Sequence, residues 1–206
     1  MPQIRSLGAA SALVAAGVMV LSSVAAAHPG HHYGPYAFDN VWIDTEGVDE
    51  YTAPDGSRDK IVGRGGDDVL VAGDKRDLVL GNRGNDDIDG GEGSDKIRGG
   101  LGADVLFGGD QPDKILGGPG ADDIDGGLGR DVIYANGGAD TILAMDGADK
   151  VYAGRGNDDI TANDGKRDLI FCGRGEVTGR ADKRVSVARG RVDVGPGAPQ
   201  THPAPN

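Results

Sequence analysis

Gly90-Gly-Glu-Gly-Ser-Asp-Lys-Ile-Arg98 is followed without a gap by Gly99-Gly-Leu-Gly-Ala-Asp-Val-Leu-Phe107. Both nonapeptides carry Gly at their first, second and fourth positions, Asp at the sixth and an aliphatic residue at the eighth. Followed outward, the aspartate register holds at steps of nine through Asp59, Asp68, Asp77, Asp86, Asp95, Asp104, Asp113, Asp122, Asp131, Asp140, Asp149 and Asp158. A thirteenth, Asp168, comes after one inserted residue. Two residues beyond each stands Ile61, Leu70, Val79, Ile88, Ile97, Leu106, Ile115, Ile124, Ile133, Ile142, Val151, Ile160 or Ile170. Two residues before most of them stands Gly, as at Gly84, Gly93, Gly102, Gly120 and Gly156. A fixed period of this kind identifies a stacked repeat before any single strand is assigned.

Each nonapeptide reads as a tight six-residue turn and a three-residue strand. Glycine allows the positive φ that such a turn needs. In the strand, alternation sends the aliphatic residue inward and its neighbours outward. Two nonapeptides make an 18-residue coil, and stacked coils make two parallel sheets around a thin aliphatic seam. The expected fold is all-β, a parallel β-roll or β-solenoid of about thirteen nonapeptide repeats, giving six to seven coils. No helix is expected, because Gly is too frequent for one to survive.

The repeat resembles the RTX, or haemolysin-type, calcium-binding repeat over roughly residues 55–172. The resemblance implies several bound Ca2+ ions held by turn aspartates. The residues agree with it. Odd and even repeats fall on opposite edges, so Asp59, Asp77, Asp95, Asp113, Asp131 and Asp149 form one column. Asp68, Asp86, Asp104, Asp122, Asp140 and Asp158 form the other. Stacked carboxylates repel without a counter-ion. Calcium takes six to eight oxygen ligands with tolerant geometry, whereas magnesium demands a tight octahedron. Zinc is disfavoured, since no His and only the edge residue Cys172 lies in the repeats. All six even turns have Gly two residues before Asp, while Ser57, Lys75 and Gln111 interrupt the odd column. The even column is therefore expected to fill more completely, with Asp77 the weakest site because Lys75 would bring a positive charge. Asp74, Asp110 and Asp146 recur 36 residues apart as candidate extra ligands.

Outside the repeats, Met1–Ala27 reads as a cleaved signal peptide: one early Arg, the apolar run Leu13–Leu21, and Ala25-Ala-Ala27 at its end. Its loss would move the net charge from -12 to about -13. So acidic a chain excludes bulk-charge attraction to nucleic acid or anionic membrane. The 38 Gly and 4% aromatic content exclude an ordinary packed core. Residues 28–54 form a candidate N-terminal cap, with Trp42, Tyr33, Tyr36, Phe38 and Tyr51. A histidine cluster (His28, His31, His32) opens that segment, and copper binding there is a minor reading. Residues 173–194 read as a basic C-terminal cap, and Phe171-Cys-Gly-Arg-Gly-Glu176, which leads into it, reads as a closing repeat with Glu176 in place of Asp. Residues 195–206 read as a disordered tail. Cys172 has no partner cysteine, so it is a free thiol or an intermolecular bridge.

The expected function is a secreted, extracellular calcium-binding module whose folding is coupled to calcium, used structurally or for adhesion. The outward strand positions are basic and apolar on one sheet, acidic and apolar on the other. They suit an unidentified surface or matrix partner, or self-association. Two alternatives carry different signatures. An accessory remnant of a secreted enzyme would need a catalytic motif, and neither Gly-x-Ser-x-Gly nor His-Glu-x-x-His occurs. An ice-binding solenoid would need a flat regular array, against mixed Lys, Asp, Leu and Tyr. The expectation is that the chain is not an enzyme.

Overall fold

The computed structural model describes residues 38–54, 56–174, 177–181, 186–187 and 192–194. The leader, the histidine cluster, Tyr33, Tyr36, Glu176 and the 195–206 tail lie outside the described residues. Strands alternate between two parallel nine-stranded sheets. The first sheet runs Asn40–Ile43, Asp59–Val62, Leu78–Arg83, Lys96–Leu101, Lys114–Pro119, Val132–Gly137, Lys150–Arg155, Leu169–Phe171 and Ser186–Val187. The second runs Glu50–Thr52, Val69–Val71, Asp87–Asp89, Val105–Phe107, Asp123–Asp125, Thr141–Leu143, Asp158–Ala162, Val177–Ala181 and Val192–Val194. The chain is thus the expected all-strand solenoid, with 18 residues per coil and no helix among the described residues.

The length differs from the expected six to seven coils: nine strands on each side make about eight turns. Strands that lack the full motif account for the excess. Asn40 pairs with Asp59 and Tyr51 with Leu70, each across 19 residues rather than 18. The same extra residue recurs where Lys150 pairs with Leu169. Sheet pairing absorbs the insertion because the turn, not the strand, accommodates it.

The seam is as thin as the alternation requires. All thirteen aliphatic positions from Ile61 to Ile170 are buried to 1% exposure or less. Their strand neighbours are exposed or half-buried, as in the pattern around Ile88 and Ile142. At the first coil Trp42 and Tyr51 take the corresponding places and stack with ring centres 4.3 Å apart, packed against the seam. A second inward row lies two residues after the aliphatics. It holds only small residues, among them Ala72, Ala135, Ala144, Ala153, Ala162 and Cys172. Cys172 is fully buried in that row, so its thiol is a core group rather than a bridge to another chain. Two turns in a thin roll bring backbones close, and only a small side chain fits between them.

The sheets are not equally built. From Leu78 onward, five strands of the first sheet are six residues long and run on into the following turn. Strands of the second sheet are mostly three residues long. No helix among the described residues is long and apolar enough to cross a membrane.

Candidate metal centre

Every aspartate of the register is buried, from Asp168 at 0% exposure to Asp113 at 3%. Buried carboxylates are rare unless something pairs with them. One oxygen of each is paired in a repeated way. The backbone N–H of Asp68 donates to Oδ1 of Asp86 at 3.0 Å, that of Asp86 to Asp104 at 2.9 Å, and that of Asp104 to Asp122 at 3.0 Å. Asp122 and Asp140 continue the even column to Asp158. In the odd column the donors run Asp59, Asp77, Asp95, Asp113, Asp131 and Asp149, each to the aspartate one coil on, at 2.6–3.0 Å. Each coil therefore fixes the carboxylate of the next.

The second oxygen is left over. Oδ2 of Asp68, Asp77, Asp86, Asp95, Asp104, Asp113, Asp122, Asp131, Asp140, Asp149 and Asp158 is buried and has no hydrogen-bond partner. A buried acceptor without a partner is costly, and a charged one more so. Asp59 stands apart from the other predicted ligands. Asn40 donates to its Oδ1 at 2.7 Å and Ser57 to its Oδ2 at 2.9 Å.

The glycine at the first motif position shows what surrounds these oxygens. A Cβ built on Gly63 would meet Oδ2 of Asp68 and the carbonyl oxygen of Gly81. On Gly81 it would meet Asp86 and Gly99, and on Gly117, Asp122 and Ala135. The odd column repeats this at Gly90, with Asp95 and Gly108, and at Gly108, with Asp113 and Gly126. Each turn thus converges an unpaired carboxylate oxygen and a carbonyl oxygen of the following coil. The donor set is all oxygen and anionic, which fits a hard cation such as calcium and not zinc.

Electrostatics point the same way. Burial, followed by repulsion from its column neighbours, pushes Asp95 up to about 7 and Asp113 up to about 8. Burial likewise raises Asp68, Asp86, Asp122, Asp131 and Asp140 to about 6, and Asp149 to about 7. Without a cation the ionised columns are under strain.

Lys75 departs from the glycine of the motif two residues before Asp77. It is exposed, held at a φ of 83°, and the charges acting on Asp77 after burial are the carboxylates Asp59, Asp39 and Asp74. Its departure from Gly is a backbone matter: a lysine occupies a left-handed conformation that glycine would hold more easily. Gln111 does the same at 79°. The even column has its own departures two turn positions earlier, at Arg64, Asn82 and Asn136. Asp74 and Asp110 lie on the outer bend of the odd turns and pair through Glu92, while Asp146 pairs with Leu128.

Two residues that the register omitted join the site. Asp49 donates its N–H to Oδ1 of Asp68 at 3.0 Å, so it starts the even column. Asp44 lies beside it, and oxygens of Asp44, Asp49 and Asp68 fall within 4.8 Å of one another. The signal was present, since Asp49 stands nine residues after Asn40 and ten before Asp59, the same insertion seen between Asp158 and Asp168.

The family profile for the RTX calcium-binding nonapeptide repeat (4 copies) matches residues 62–97, 98–133 and 134–167, about half of the chain. No curated protein matches the sequence.

Proposed function

This chain belongs to the RTX calcium-binding nonapeptide repeat family, and from that premise we propose that its roll is a secreted module that folds as it takes up extracellular calcium and then serves as a structural or adhesive surface. The observation that carries the reading is the pair of buried ladders whose Oδ2 atoms have no protein partner. Of the twelve register aspartates from Asp59 to Asp158, the eleven from Asp68 onward would hold the ions, with turn carbonyls such as those of Gly81 and Gly99. Asp59 is already bonded on both oxygens and is the weakest candidate. Calcium supplies positive charge to columns that are otherwise forced to be protonated or repelled. Extracellular sites of this class bind at about 0.1–1 mM.

The outer faces support the surface role. Lys60, Lys96, Lys114 and Lys150 line the first sheet, beside a stack of Tyr134, Tyr152 and Phe171 with ring centres 4.6 and 4.5 Å apart. Asp87, Asp89, Asp123, Asp125 and Asp159 line the second. Opposite charges on opposite faces suit a charged partner or a second copy. The test is far-UV circular dichroism during a calcium titration, with magnesium as control. The β signal is expected to rise with calcium in the 0.1–1 mM range, roughly, and little with magnesium. A full β signal in chelator at neutral pH would overturn the reading.

A further inference from the structure

We infer that Asp44, Asp49 and Asp68 form a three-carboxylate site for a calcium-class divalent cation at the N-terminal end of the even column, with Asp44 and Asp49 outside the residues matched to the repeat family and Asp68 inside them. This rests on the calcium reading and deepens it, because the chemistry of the site differs from that of the repeat turns. The backbone N–H of Asp44 donates to the carbonyl of Val62, just as that of Gly63 donates to Leu80 one coil on. Asp44 therefore takes the place held by Gly63 and Gly81 in later coils. There the glycine leaves room for a single carboxylate oxygen, whereas Asp44 adds a further carboxylate.

The three residues are buried, at 6%, 8% and 1% exposure, and Oδ2 of both Asp44 and Asp68 lacks any hydrogen-bond partner. One oxygen from each lies within 4.8 Å of the others. Thr45 holds the arrangement, its N–H donating to Oδ1 of Asp44 and its hydroxyl to Oδ2 of Asp49 at 2.7 Å. Three carboxylates so close do not stay ionised without compensation. A shared proton is one means of neutralising them. Burial and the contact with Asp49 hold Asp44 above the usual carboxylate range, while the same contact lowers Asp49. A proton removes only one of three charges, and Oδ2 of Asp68 remains unpaired. A divalent ion removes two and gives both open oxygens a ligand role. Higher ligand charge tightens calcium sites, so this one fills before the repeat turns.

Trp42, the only tryptophan, lies two residues from Asp44 and packs on Tyr51, two residues from Asp49. Its fluorescence reports this end, while circular dichroism reports the whole roll. In calcium titrations of the full chain, the Trp42 signal is expected to move at lower calcium than the β signal. In Asp44→Gly, which restores the glycine of the repeat, the Trp42 response should shift to about tenfold higher calcium, with one ion fewer bound and a nearly unchanged β midpoint. An unchanged Trp42 response and ion count in Asp44→Gly would overturn the site. So would wild-type behaviour of Asp44→Asn at neutral pH. A wild-type chain whose β signal ignores calcium would instead overturn the reading beneath it.

Discussion

Along one edge of the roll, the turns that end in Asp86, Asp104 and Asp122 continue six-residue strands, and Asn82 and Arg83 pair in register with Gly100 and Leu101. Along the other edge, the turns that end in Asp95 and Asp113 meet their neighbours through single bridges at Asp74, Glu92, Asp110 and Leu128. Both edges carry the same ladder of buried carboxylates. The even edge has backbone pairing to hold its turns when charge repels them, and the odd edge has less. What separates the columns in the backbone is thus the amount of ladder beneath each turn. The odd edge is therefore expected to depend more on a cation, which amide exchange with and without calcium would read.

The largest effect concerns what the edges share. Carboxyl groups raised from 3.8 to between about 6 and 8 bind protons more tightly in the roll than in the unfolded chain. Stability from this source is complete below about pH 4 and is lost as pH rises through 6 to 8. In chelator the β signal should therefore be strong near pH 4 and collapse by pH 8, while calcium preserves it at pH 8. Amide exchange along the titration should open the odd turns first. A roll that is more ordered in chelator at pH 8 than at pH 5 would contradict the strain described for both columns.

Next come the closest backbone approaches. A Cβ on Gly120 would overlap the carbonyl of Gly102, and one on Gly93 that of Lys75. Gly120→Ala on the even edge and Gly93→Ala on the odd should each cost roughly 3 kcal/mol in calcium-saturated denaturant melts. Tolerance of either would show that the coils on that edge have room to part.

Neutralising single carboxylates gives a smaller, more discriminating contrast. Asn keeps the Oδ1 acceptor and removes the charge. In chelator at neutral pH, Asp113→Asn should stabilise the roll more than Asp122→Asn, by roughly 2 kcal/mol, since burial and repulsion raise Asp113 to about 8 and Asp122 to about 6. In calcium the order of effects should reverse sign, both variants losing affinity. Equal gains in chelator would erase the electrostatic difference between the edges. Smallest of all, Gln111→Gly should add about 1 kcal/mol by relieving a left-handed glutamine. Asn82→Gly should add less, because Asn tolerates that region. Melts that rank Asn82 above Gln111 would place the backbone strain on the even edge instead.

The register of aspartates and aliphatics made the seam and both columns legible, because period-2 alternation and a nine-residue step leave little freedom once they coincide. The first coil was less legible because its letters differ. Asn40 stands for Asp, and Trp42 and Tyr51 stand for aliphatics, so only the spacing carries the message. The small inward row at Ala135, Ala153 and Cys172 was hidden for a similar reason: a repeat rich in glycine does not announce which glycines are inside. The outward turn of Lys75 depends on a positive φ, which a sequence letter does not encode.

The hydrogen bond from each aspartate N–H to the carboxylate one coil later gives the roll a direction. Trimming it from its C-terminal end strands one backbone donor and leaves every remaining carboxylate aimed. Trimming it from the N-terminal end releases a carboxylate from its guide. A chain that emerges N-terminus first would lay each new coil on a template already set, as a zip closes from the end that holds its slider. A chain that emerges C-terminus first would have to wait for its last segment before the first carboxylate found its bearing.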